Sequence, residues 1–115
     1  MTAYVTVVVC TLVINAAAAA ADFVHAPFVL ANTAEVGVAE AWLPWLGALK
    51  AAGAAGLLVG LLLARPIGLA AAIGLVLFFV GALVTHVRAR VLYNLAFPGF
   101  FLAMAVGSLI LTAAH

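Results

Sequence analysis

Charge is what this chain has least of. Seven of its 115 side chains are Asp, Glu, Lys or Arg, 6% of the total, against roughly 25% in an ordinary soluble domain. So few charges cannot coat a water-soluble globule of this size, and lipid must be the solvent for most of the surface. A net charge of +1 leaves no stripe of Lys and Arg to track phosphates, which excludes a nucleic-acid partner. Cysteine is nearly missing too. Cys10 stands alone in an apolar run, so no disulfide can close within the chain, and no Cys/His cluster offers a metal site. There is no Ser-His-Asp order, nucleophile elbow, phosphate loop or dinucleotide fingerprint. The familiar soluble enzyme classes therefore have no support, and no motif names a cofactor.

What the chain has is apolar length. Hydrophobic residues make up 70% of it, and a helix crossing the hydrocarbon core needs about 20 mostly apolar residues. Four stretches meet that length. Residues 3–21 are closed by Asp22, and residues 44–64 by Arg65 and Pro66, a pair that stops one helix and opens the next. Residues 67–85 are closed by "HVRAR", and residues 94–113 carry Pro98 as an expected kink. The fold class expected is all-α: one transmembrane domain over residues 1–115, an integral membrane four-helix antiparallel bundle. The opening "MTAYVTVVVCTLVINAAAAAAD" has the apolar stretch and small residues of a secretory signal. No Lys or Arg precedes the apolar stretch, so it reads as a retained membrane helix.

Residues 22–43 mix Phe and Val with Asn32, Glu35 and Glu40, as suits a connection lying along the interface. Within it "NTAE" resembles a capping box that opens a short helix. Trp42 and Trp45 suit the headgroup level, where amphipathic rings anchor. Gly53, Gly56 and Gly60 share one side of the second helix, and Gly74 and Gly81 align on the third. Such small faces allow close backbone approach, either inside the bundle or in a homodimer.

Successive crossings alternate in direction, so the ends of the first and third helices share a membrane face with the start of the second. Asp22, His25, Glu35, Glu40, His86, Arg88 and Arg90 all fall on that face. The opposite face holds Tyr4, Arg65 and His115. Tyr4, Thr11, Asn15 and Asp22 stay within about 40° of one another on a helix. This polar line should face the bundle interior, as interhelical glue or as part of a site. Lys50 lies roughly 9 Å into its helix at 1.5 Å per residue. It either pairs with Asp22 or Glu40, snorkels to the interface, or serves a ligand as hydrogen-bond or proton donor. His86, with Phe78 and Phe79 one to two turns before it, suits proton exchange; the alternative is an interfacial histidine beside lipid-anchoring Arg88 and Arg90. Arg88 and Arg90 on the polar face outnumber Arg65 opposite by one, a count that leans toward the polar face being cytoplasmic.

Three segments, "LPWLGALKAAGAAGLLVGLL", "GLVLFFVGALVTHVRAR" and "NLAFPGFFLAMAV", resemble the DoxX-like family of small bacterial membrane proteins over essentially the full chain. The more specific pieces are Lys50 with Gly53, and His86 with Arg88 and Arg90. The resemblance implies a multi-pass four-helix bundle in a bacterial cell membrane. Relatives are associated with quinone or thiol redox processes, and a distant animal branch with receptor assembly. It implies no catalytic assignment, because the family has no common activity.

The leading expectation is a membrane protein that takes a small hydrophobic ligand, a quinone or related lipid, between its helices. The ligand head would lie near Asp22, Lys50 and His86, with Lys50 or His86 donating to a carbonyl oxygen and Asp22 orienting the donor. Asn15, Glu40, Phe79, Arg88 and Arg90 would complete the binding region. Electron transfer would need a partner protein. The alternative is a scaffold or assembly factor acting through the glycine faces, as a homodimer or with a partner membrane protein. A small transporter is a third reading, but it needs a carboxylate deep in the first helix, where this chain has Asn15 or Cys10.

Overall fold

A computed structural model describes residues 2–115. The chain forms α1 (Thr2–Phe23), α2 (Pro27–Glu35), a 3-10 turn (Glu40–Trp42), α3 (Leu43–Leu62), α4 (Arg65–Arg88) and α5 (Ala96–Ala114). Among the described residues four helices, α1, α3, α4 and α5, are long and apolar enough to cross a membrane. Each packs antiparallel to its neighbours in the ring α1–α3–α4–α5, which closes through α5 against α1. The fold is thus the all-α bundle read from the apolar runs.

The boundaries differ from the expected ones for local reasons. Helix α4 begins at Arg65 and Pro66, because proline in a first turn gives up an N–H that has no partner there. It then runs on through His86 to Arg88, whose positive charge favours the negative end of the helix dipole. Beyond its end at Arg88 the chain turns at Arg90, whose φ of 59° is left-handed, as the Val91 N–H closes back on the His86 carbonyl at 3.0 Å. "NTAE" closes α2 rather than opening it. Pro27 starts that helix, and the Thr33 hydroxyl bonds back to the Leu30 carbonyl at 3.2 Å, so it cannot cap a helix start. Helix α5 starts at Ala96, so Pro98 falls in its first turn, where the missing N–H has no intrahelical partner to lose.

The core joins Tyr4 and Val8 of α1, Leu57 of α3, Ala72, Leu75 and Phe79 of α4, and Phe101 and Ala105 of α5. Lipid offers no hydrophobic drive between helices, so close backbone approach has to supply the contact. Gly60 faces Gly68, Gly56 faces Ala71, and Gly53 receives the Leu75 side chain. The glycine face of α3 is therefore spent on α4. Gly74 and Gly81, by contrast, have nothing within 4 Å of where a Cβ would stand; they point out of the bundle. A Gly60→Ala Cβ would stand 2.7 Å from the Gly68 backbone nitrogen. We expect that variant to lose about 1–3 kcal/mol, whereas Gly74→Ala should be neutral or stabilising by up to about 1 kcal/mol. Thermal unfolding in detergent, followed by circular dichroism, checks the opposite signs.

Candidate functional site

Asp22 lies in the last turn of α1, on the line of Tyr4, Thr11 and Asn15, and all four side chains are buried. The inward polar line expected from periodicity is present. Asp22 is reached because α3 approaches α1 closely at Gly47, where a Cβ would stand 3.1 Å from the Asp22 Cβ. Three residues on, one helical turn along the same face, Lys50 extends its ammonium to Asp22: Nζ donates to Oδ2 at 2.8 Å. Both side chains are largely withdrawn from the surface, at 15% and 4% exposure. The third contact comes from α4, where the Phe78 ring centre lies 5.4 Å from the Lys50 nitrogen, within cation–π reach. Glu40, the other partner considered for Lys50, is exposed in the 3-10 turn and is not in this pair.

A groove of about 620 Å³ runs along the outer side of α3 and α4. Its floor is shallow-chained: Ala52, Gly53, Gly56, Ala70 and Gly74 leave room that larger side chains would fill. It extends from Ile67 to Phe78, eleven residues of α4 or roughly 16 Å. Phe78, at one end of the groove, is also the ring that lies 5.4 Å from the Lys50 ammonium; Lys50 and Asp22 themselves do not line the groove. Phe79 turns the other way, into the core, with its ring 5.1 Å from that of Phe101.

His86 occupies a second cluster at the same end of the bundle. It is buried, with Nδ1 2.9 Å from the Ala82 carbonyl and Nε2 3.2 Å from Asn32 Oδ1. Asn94 Nδ2 donates to the same Asn32 oxygen at 3.2 Å, leaving its own buried Oδ1 without a partner. Among the described residues no hydrogen bond or ion pair joins His86 to Lys50 or Asp22. Two of the three expected central groups therefore meet, and the third belongs to a cluster with Asn32 and Asn94. Neither asparagine was singled out from sequence as a site residue. The only signal was that both are polar and flank membrane helices. Arg88 and Arg90 are exposed at the end of α4.

Beside this cluster the Tyr93 hydroxyl meets both carboxylate oxygens of Glu35, at 2.6 and 2.7 Å. That hydrogen bond, then desolvation, then repulsion from the Glu35 charge, raise the phenol above its ordinary 10.0. Deeper in the bundle Asn15 donates to the Thr11 carbonyl at 2.9 Å and keeps an unpartnered Oδ1. Ser108 donates to the Thr11 hydroxyl at 2.7 Å, linking α5 to α1. At the opposite end Arg65 donates to the carbonyls of Thr112 and Ala113 at 3.3 and 3.4 Å, and Tyr4 stacks on His115 at 4.2 Å.

A family model described as the DoxX-like family matches residues 5–108. No curated protein and no solved structure gives a significant match.

Removing one member of a buried ion pair strands the other charge, so Lys50→Met should destabilise by about 3–5 kcal/mol. Adding Asp22→Leu to it should restore most of the loss, because an apolar pair of similar volume needs no counter-charge; thermal unfolding of the two variants checks this. For Tyr93, the neutral phenol is the form that donates to Glu35. The contact is complete below the ordinary phenol pKa and is lost as pH rises through the raised one. In a Tyr4→Phe background, Glu35→Gln should lower the tyrosinate absorbance midpoint of Tyr93 toward 10.0.

Proposed function

Because the chain belongs to the DoxX-like family and is a multi-pass membrane protein, we propose that it binds a small hydrophobic ligand, a quinone or related lipid, in the α3–α4 groove. The membrane we assign is that of a bacterial cell. The observation that carries the reading is that Phe78 both lines an apolar groove of ligand size and lies 5.4 Å from the ammonium of the largely buried Lys50–Asp22 pair. Binding sites for small molecules combine such an apolar lining of roughly 300–1,000 Å³ with a few placed polar groups. Lipid access is direct, since the groove opens on the outer side of the helices.

In this reading Lys50 is the group that touches the ligand head. An ammonium carries three N–H donors, and Asp22 takes one. Another donates to a carbonyl oxygen of the ligand, polarising it and standing ready to supply a proton as charge develops there. Asp22 holds the ammonium in place and offsets its charge. A redox change in the ligand would draw its electrons from a partner protein. His86, held by Asn32 and the Ala82 carbonyl, acts as a second proton-handling group at the same membrane face. Arg88 and Arg90 face the headgroup layer, and Asn15 and Glu40 lie outside the immediate contact.

A scaffold role remains the second reading, favoured by the outward-facing Gly74 and Gly81. It no longer draws on Gly56 or Gly60, whose faces are used within the chain.

Extraction of the purified protein, with native mass spectrometry, should release one class of hydrophobic molecule at defined stoichiometry. Its affinity should fall at least about tenfold, equivalent to about 1.4 kcal/mol, in Lys50→Ala and in the groove-filling Ala52→Phe, read as lost occupancy at sub-saturating ligand. If wild type and both variants carry the same mixture of bulk membrane lipid, ligand binding is refuted. Assembly defects confined to Gly74→Leu with Gly81→Leu would support the scaffold.

A further inference from the structure

The charge state of the pair restricts what the groove can hold. Lys50 and Asp22 neutralise each other at 2.8 Å, and among the described residues no third charged group is bonded to either. A ligand with an anionic head would bring a second negative charge up to Asp22, in surroundings where lipid and buried side chains screen poorly. A cationic head would meet Lys50 in the same way. Either would have to break the pair and strand one of its charges in an apolar setting, the most unfavourable outcome for a buried ion pair.

An uncharged head avoids this. Beyond the bond to Asp22 Oδ2, the Lys50 ammonium has further N–H groups to donate. The other carboxylate oxygen, Oδ1, accepts no hydrogen bond among the described residues. The pair thus offers a donor and an acceptor side by side, with its charges still matched. A hydroxyl can accept from the first and donate to the second, and a carbonyl can use the first alone. The Phe78 ring, 5.4 Å from the ammonium, also lines the groove, so the head would meet an aromatic ring beside a small dipole, not a free cation. The apolar stretch from Phe78 to Ile67 then takes the tail.

Resting on the ligand-binding reading above, we infer that the occupant is an uncharged amphiphile, a single apolar tail carrying a hydroxyl or carbonyl head, and that the intact Lys50–Asp22 pair excludes anionic lipids of the same tail. Asp22 is on this account the residue that sets specificity: it does so by cancelling the lysine charge.

The test uses the full chain in nanodiscs and two photoreactive probes with the same diazirine-bearing tail, one a monoacylglycerol and one an alkyl sulfate. Cross-links are mapped by mass spectrometry at Leu49 and Leu77 in the groove, and at Val13 on the exposed side of α1 as the reference. The monoacylglycerol should label the groove at least about tenfold above the sulfate, with equal labelling of both at Val13. In Asp22→Asn, which leaves Lys50 charged and uncompensated, the preference should reverse toward the sulfate. Wild-type labelling of the groove by the sulfate at or above the level of the monoacylglycerol overturns the selectivity while leaving groove binding intact. A folded Asp22→Asn protein that keeps the wild-type order overturns the role given to Asp22. Groove labelling by both probes at no more than the Val13 level removes the ligand-binding reading itself. Should Asp22→Asn fail to fold, the wild-type ratio decides the selectivity alone.

Discussion

One constraint organises this molecule: a lysine placed inside a membrane helix has to be answered by a carboxylate. A charge near a helix centre in lipid costs about 2.5–3.5 kcal/mol on insertion scales, and Lys50 sits about 10 Å beyond the start of α3. Asp22 answers it at 2.8 Å, and that distance sets how α1 and α3 meet. Gly47 leaves room for this approach, since a Cβ there would stand 3.1 Å from the Asp22 Cβ and 3.2 Å from the Ala19 carbonyl oxygen. Phe78 brings α4 to the same point, so three helices are brought into register by one ammonium group.

The packing that surrounds the pair and the groove that leads to it have one origin. Helices in lipid associate through close contact of small residues, and α3 meets α4 at Gly60 with Gly68 and at Gly56 with Ala71. Small residues at a crossing also leave a trough on its outer side, because nothing projects from the backbone to fill it. Ala52, Ala70 and Gly74 continue the trough outward. Tight assembly and a lipid-accessible groove are two faces of the same composition. At Phe78 that groove reaches the ring that also lies against the Lys50 ammonium.

The short helix α2 is held over the same end of the bundle largely by polar contacts. Asn32 meets His86 and Asn94, and Glu35 meets Tyr93, while Val29 and Thr33 supply its buried residues. Much of this was legible beforehand. The sequence places Asp22, Glu35, His86 and Arg88 on one membrane face because crossings alternate, and it turns Thr11, Asn15 and Asp22 inward because a helix repeats every 3.6 residues. It does not reveal that His86 joins Asn32 and Asn94 instead of Lys50. That choice depends on where α2 lies, and "NTAE" reads equally well as the opening or the close of a short helix. Pro27, one turn earlier, decides it.

By itself the sequence determined the solvent, the number of crossings and the face on which ionisable groups collect. Each follows from properties summed along the chain: apolar length, the scarcity of charge and the alternation of direction. Tertiary structure alone decided that Lys50 pairs with Asp22 and not Glu40, that Phe78 and not Phe79 lines the groove, and that the glycines of α3 face inward while Gly74 and Gly81 face outward. Those outcomes turn on the rotation of each helix about its axis. In a bundle whose sides are apolar all round, hydrophobicity does not set that rotation; a few close contacts between particular residues do.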